Sequence, residues 1–139
     1  MGEVRRFSVS IEQQLMDKFD SFIKKKGYSS RSEAIRDLMR DMLVSEEWEK
    51  GETDSVGILG LVYRHDSREL TETLTAIQHR YVDKVVASTH VHLDSHNCLE
   101  VVIFKGKSSL IKEISDRLLT TRNVKHGKLI MTTTGADIV

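Results

Sequence analysis

The sequence predicts an α+β chain in two parts, a strand–helix–helix unit followed by a β-α-β-β-α-β unit. Three features carry that prediction. Residues 5–11 alternate strictly between polar and apolar, residues 12–43 hold two successive apolar stripes at helical spacing, and from Ser55 strand-like runs alternate with amphipathic stretches. With 139 residues the chain can form one average domain or two small ones.

In the first unit, Phe7, Val9 and Ile11 fall on one face of a half-buried strand, and Arg6, Ser8 and Ser10 on the other. Leu15, Phe19, Phe22 and Ile23 then mark a helix over residues 12–26. It ends in Lys24-Lys25-Lys26-Gly27, with cations in the last turn and glycine beyond it. Ser30-Arg31-Ser32-Glu33 has the form of a capping box, and Ala34, Ile35, Leu38, Met39, Met42 and Leu43 form the stripe of a second helix. This unit is too small to close a core alone, and its strand has no partner within it. A two-fold dimer that pairs the strands of two chains antiparallel solves both problems. The resulting ribbon presents Arg6, Ser8 and Ser10 twice, a shape and chemistry suited to the major groove of double-stranded DNA. The start of the second helix, near Ser30, Arg31 and Ser32, offers free N–H groups to a phosphate.

Residues 45–54 are charged, contain Gly51 and lack apolar periodicity, so a linker is expected there. The domains are accordingly 1–46, a linker at 47–54, and 55–139. The second part reads as a strand over 56–63, a helix over 67–80 with Leu70, Leu74 and Ile77 inward, and strands over 85–93 and 98–104. A helix with Leu110, Ile111, Ile114 and Leu118 and a strand over 128–134 follow. This order is the split-βαβ, ferredoxin-like pattern.

The chemistry concentrates in residues 79–98. His90 and His92, two apart on a strand, point to one face, and the turn Asp94-Ser95-His96-Asn97 brings Cys98 back on the next strand. Two imidazoles and a thiolate form three-quarters of a site for a borderline or soft metal. A Cys/His nucleophilic pair is the rival reading; it needs an oxyanion hole, and nothing nearby looks like one. Bulk charge carries no signal for nucleic acid or membrane, since 21 basic residues balance 21 acidic ones. Between Arg5 and Arg36, however, eight Lys/Arg face four acids. The single cysteine excludes an intrachain disulfide and fits a reducing compartment. No secretory signal or membrane-length apolar run is visible, so a cytoplasmic protein is expected.

Arg6-Phe7-Ser8-Val9-Ser10-Ile11, followed by Gly27-Tyr28-Ser29-Ser30-Arg31-Ser32-Glu33-Ala34-Ile35-Arg36-Asp37, resembles the ribbon-helix-helix DNA-binding domains. Joined to a βαββαβ domain with Gln78-His79, Thr89-His90-Val91-His92 and Cys98-Leu99-Glu100, the chain resembles the nickel-responsive transcriptional regulators over almost its whole length. That resemblance implies a homotetramer, a dimer of dimers, with ACT-type regulatory domains at its centre and two ribbon dimers flanking them. It implies one Ni(II) per subunit, bound by His90, His92 and Cys98 of one subunit and His79 of its neighbour. The DNA contacts would come from Arg6, Ser8, Ser10, Ser30, Arg31, Ser32 and Arg36, with Glu33 and Asp37 as a secondary cation site.

Three imidazoles and a thiolate in a plane suit Ni(II) or Cu(II), and Zn(II) could use the same groups tetrahedrally. Gln78 and Glu100 are candidates for hydrogen bonds behind the ligands. His65 and His126 read as structural or as weaker secondary metal positions, and His96, in the hairpin turn, as a solvent-facing residue able to compete for metal. The expected function is nickel-dependent repression of nickel-uptake genes. A metal-buffering or trafficking protein and an ACT-type small-molecule sensor are the alternatives; an enzyme is not expected.

Overall fold

The computed structural model describes residues 2–139. The chain divides into two compact units, one ending at Met39 and the other running from Arg40 to Val139.

In the first unit, α1 (Gln13–Lys26) ends where Gly27 adopts a left-handed φ of 91°. Tyr28 N–H bonds back to the Ile23 carbonyl at 3.0 Å and closes the helix end. α2 (Arg31–Lys50), whose first nine residues belong to this unit and the rest to the second, starts as the capping box requires, with Ser30 Oγ accepting from Glu33 N–H at 3.2 Å. Residues 2–11 form no strand in the single chain. The alternation over residues 5–11 is intact, but a ladder needs a second backbone, and the single chain supplies none in this unit.

In the second unit, β1 (Asp54–Arg64), α3 (Arg68–Arg80), β2 (Val85–His92), β3 (Asn97–Lys107), α4 (Ser108–Leu119) and β4 (Val124–Thr133) follow in order. The sheet is antiparallel throughout, in the order β2-β3-β1-β4, as the ferredoxin-like pattern demands. Ser67 caps α3, its Oγ accepting from Leu70 N–H. Alternate residues of β1 (Ser55, Gly57, Leu59, Leu61, Tyr63) are buried with Val102 and Phe104 of β3 against Ile111, Ile114 and Leu118 of α4 and Leu70 and Leu74 of α3. The other sheet face carries Val56, Ile58, Val62, Leu99, Val101 and Ile103, all only half-buried, and Ile130, which is exposed.

Two boundaries differ from the sequence reading. Residues 45–50, assigned largely to a linker by composition, are the last turns of α2, where Glu46 pairs with Lys50 one turn on at 3.0 Å. Trp48 drives this: its ring is buried in the core of the second unit, and its indole N–H donates to the Thr132 carbonyl at 2.9 Å. Strand β4 begins at Val124, four residues before the expected start, because Leu61 and Val62 pair with Gly127 and His126 and, past a bulge, Tyr63 pairs with Val124.

Trp48→Ala should therefore destabilise the fold by about 3–5 kcal/mol. Trp48→Phe, which keeps most of the packing but loses the hydrogen bond, should cost about 1 kcal/mol plus a small packing loss. Urea denaturation followed by circular dichroism measures both.

Candidate metal and nucleic-acid sites

The antiparallel register of β2 and β3 places His92 opposite Cys98 and His90 opposite Glu100. Paired residues share a face, so both imidazoles, the thiol and the carboxylate lie on the helix-covered side of the sheet. The His90 and His92 rings stack at 5.2 Å between centroids, 19° from parallel. The β1–β3 register sets Tyr63 opposite Cys98, and the Tyr63 ring lies 6.0 Å from that of His90.

Cys98 is fully buried, with Sγ donating to the Tyr63 carbonyl at 3.5 Å. Burial pushes the thiol up, the Tyr63 side chain lowers it by less, and the Glu100 charge adds a further small rise. Burial likewise raises the Tyr63 phenol, which stays protonated and able to donate.

Glu100 is the junction of the site. Its Oε1 accepts from Gln78 Nε2 at 3.0 Å and from Ser88 Oγ at 3.2 Å, and its Oε2 accepts from Tyr63 Oη at 3.1 Å. One carboxylate thus joins α3, β2 and β1 to β3. His79, exposed in the last turn of α3, lines with Gln78, Glu100, Thr75, Val82 and Val85 a cavity of about 220 Å³. Among the described residues, no three His, Cys, Asp or Glu side chains of the single chain converge as a metal site. What the fold does bring together is a stacked imidazole pair with a thiol on the facing strand residue. That mixed nitrogen and sulfur set fits a borderline ion such as Ni(II), Cu(II) or Zn(II).

His65 and His96 occupy the adjoining loops. The His65 ring contacts His92 edge-on at 4.9 Å, and His96 is exposed in the β2–β3 turn. Asp94 Oδ1 accepts from the His96 and Asn97 N–H groups, each at 2.8 Å, and its Oδ2 from Asn97 Nδ2 at 2.8 Å. These bonds hold the Asp94 carboxyl well below the usual carboxylate range. His126 is exposed on β4, opposite Val62.

In the first unit, Arg6, Ser8, Ser10, Ser30, Ser32 and Arg36 are all exposed. Arg31 is exposed too, but its guanidinium forms a two-bond pair with Asp20 of α1 at 2.7 and 2.8 Å. Glu33 accepts from Ser29 Oγ at 2.7 Å and Asp37 from Tyr28 Oη at 2.8 Å, so both carboxylates carry local hydroxyl partners. Val9, Ile11, Leu15, Phe19, Ile35 and Leu38 line an open apolar groove of about 480 Å³. Tyr63 and Ser88 are the residues that sequence reasoning missed. Each bonds Glu100 from another strand, and only knowledge of the strand pairing would have found them.

Comparison with known proteins adds to this geometry. Residues 56–132 match the family described as NikR C terminal nickel binding domain, and residues 5–44 match the ribbon-helix-helix protein, copG family. A nickel-responsive regulator of Thermococcus onnurineus is 53% identical over 137 residues, 99% of each chain. One of Pyrococcus furiosus is 53% identical over 139 residues and all of both chains, and one of Geobacter sulfurreducens is 52% identical over 138 residues and 99% of each. An uncharacterized Thermotoga maritima protein of known structure shares the fold, with a TM-score of 0.51 at 14% identity, over 56% of this chain and 96% of its own.

Glu100→Ala would strand the Tyr63 hydroxyl and the Gln78 amide. It should destabilise the metal-free protein by roughly 1–3 kcal/mol, measured as a lowered urea midpoint, whereas Glu100→Gln should recover part of the loss.

Proposed function

The chain belongs to the nickel-responsive regulator family, and from that premise we propose that it represses nickel-uptake genes by binding operator DNA in response to Ni(II). In this reading the protein is a cytoplasmic homotetramer that holds one Ni(II) per subunit. His90, His92 and Cys98 come from one subunit and His79 from its neighbour.

One observation carries the reading: the stacked His90–His92 pair set beside Cys98 by strand register, on a chain that also bears a ribbon-helix-helix domain. Nickel, when bound, supplies a strong bond between the chains that donate to it. The rest follows from what the chain's own residues do. Cys98 ligates as the thiolate and releases its proton. Glu100, by accepting from Gln78, ties the last turn of α3 to β3 and so fixes the backbone that carries His79.

A donor set shared between subunits favours the quaternary arrangement in which the four groups meet. If that arrangement also sets the two ribbons at successive half-sites, DNA affinity rises with nickel, and by linkage nickel affinity rises with DNA. The ribbon itself is supported by Phe7, Val9 and Ile11, exposed at 67%, 62% and 42% in the single chain. Such a stripe, beside an open apolar groove, calls for cover by a second copy. Pairing the 5–11 segments would bury it and turn Arg6, Ser8 and Ser10 to the major groove. Ser30, Ser32 and Arg36 then serve the flanking phosphates. Arg31 joins them only by leaving or sharing Asp20, and Glu33 with Asp37 remains the candidate secondary cation site.

Gel-shift of DNA upstream of a nickel-transport operon should show binding at least tenfold tighter with nickel than without. Equal affinity in both conditions removes the switch. His90→Ala should abolish the nickel dependence, whereas a small-molecule sensor would keep its ligand response. Arg6→Ala should cost about 1–3 kcal/mol of base discrimination. A uniform loss across sequences would reassign Arg6 to the phosphates.

A further inference from the structure

We propose that His65 is a positioning residue for His92, an edge-on clamp that holds the imidazole in one orientation before any metal arrives. The inference rests on the assignment of His92 as a nickel ligand.

The problem it answers is physical. His92 is exposed and ends an edge strand that is exposed along most of its length. An imidazole there has both side-chain torsions free, and each competing rotamer weakens a ligand that must arrive in one orientation. His90 stacks on one side of it at 5.2 Å. Its other contact is the partly buried His65, whose ring meets it at 4.9 Å and 81°, the edge-to-face arrangement that aromatic quadrupoles favour.

His65 is itself immobilised at two points. Its backbone N–H donates to the His96 carbonyl at 3.0 Å, which carries the β1–β3 pairing one residue past Arg64 and Asn97. Its Nε2 lies 2.8 Å from the Ser95 carbonyl. A carbonyl only accepts, so Nε2 carries the hydrogen of that bond. Ser95 in turn belongs to the turn that Asp94 fastens with three hydrogen bonds. The order of support therefore runs from the Asp94 turn to His65, from His65 to His92, and from His92 to His90, whose far neighbour is Tyr63. Both strand imidazoles are gripped from outside, His92 by His65 and His90 by Tyr63.

The test separates positioning from ligation and from folding. In the metal-free protein, ring-proton and ring-nitrogen NMR of His92 should show one narrow environment in the wild type. His65→Ala should average it over rotamers, and His65→Phe, which restores an edge against His92, should recover much of the ordering. Nickel titration should then show roughly tenfold weaker binding for His65→Ala, partial rescue by His65→Phe and none by His65→Gln. The Ni–thiolate absorption bands at saturation should match those of the wild type in all three.

Unchanged His92 resonances and unchanged affinity in His65→Ala overturn the proposal. So does a changed spectrum or a lower nickel count in both His65→Ala and His65→Phe, which would make His65 a ligand. The premise is tested apart from this. Wild-type nickel affinity in His92→Ala would refute His92 as a ligand while leaving the NMR result on the His65–His92 contact to stand by itself.

Discussion

The pairing of β2 with β3 is the constraint on which the candidate metal site depends. With His92 opposite Cys98 and His90 opposite Glu100, four chemically active side chains share one face of the sheet. A slip of one residue would send the imidazoles to the other face and leave the thiol behind. The core fixes β3, and Val85 of β2, opposite Phe104 and packed against that core, opposes the slip. Val102 and Phe104, on the same strand as Cys98 and with the same parity, are fully buried against α4 and β1. The donors thus continue a row whose inner members are held by hydrophobic burial, so the precision of the polar end comes from the apolar end.

Each compact unit leaves an apolar surface without cover. In the first, the alternating 5–11 segment has its unpaired backbone and its exposed Phe7 and Val9. In the second, the helices protect one face of the sheet, and the other presents half-buried Val56, Ile58, Val62, Leu99 and Val101. In each case the apolar residues form a row of alternate positions along a chain segment and are not scattered singly. For a regulator this has a use. If, as proposed, sites and reading surfaces are completed by assembly, they can be coupled through its geometry, without a rigid path through one chain.

What the sequence made legible was local. Helix ends at Gly27 and Ser67, the capping box at Ser30, the order of elements and the shared face of His90 and His92 all follow from spacings of a few residues. What it hid was non-local. Tyr63 and Cys98 are 35 residues apart and meet only through the β1–β3 register. Trp48 lies in a charged stretch whose composition argues for a linker, and its burial is decided by the sheet and α4. The 5–11 strand is a different case. Its pattern is plain, but the single chain offers its backbone no partner to pair with. The candidate donors stand close together in sequence, while the hydrogen bonds that hold Glu100 beside them come from Tyr63 and Ser88, which no motif singles out.

Glu100 raises the question of why a carboxylate stands where β3 could have carried another apolar residue. As a contribution to stability it is a poor choice, because a partly buried charge needs several donors merely to offset its lost hydration. It has three, from α3, β2 and β1, and none is adjacent to it in sequence. A hydrophobic side chain could fill the space but could not specify direction, whereas hydrogen bonds fix where the Gln78 amide lies and hence how α3 ends. Because His79 follows Gln78 directly, that directional bond ties the end of α3 to the strand that carries Cys98. The carboxylate acts as a geometric coupling between α3 and β3, the elements that carry His79 and Cys98, at some cost in stability.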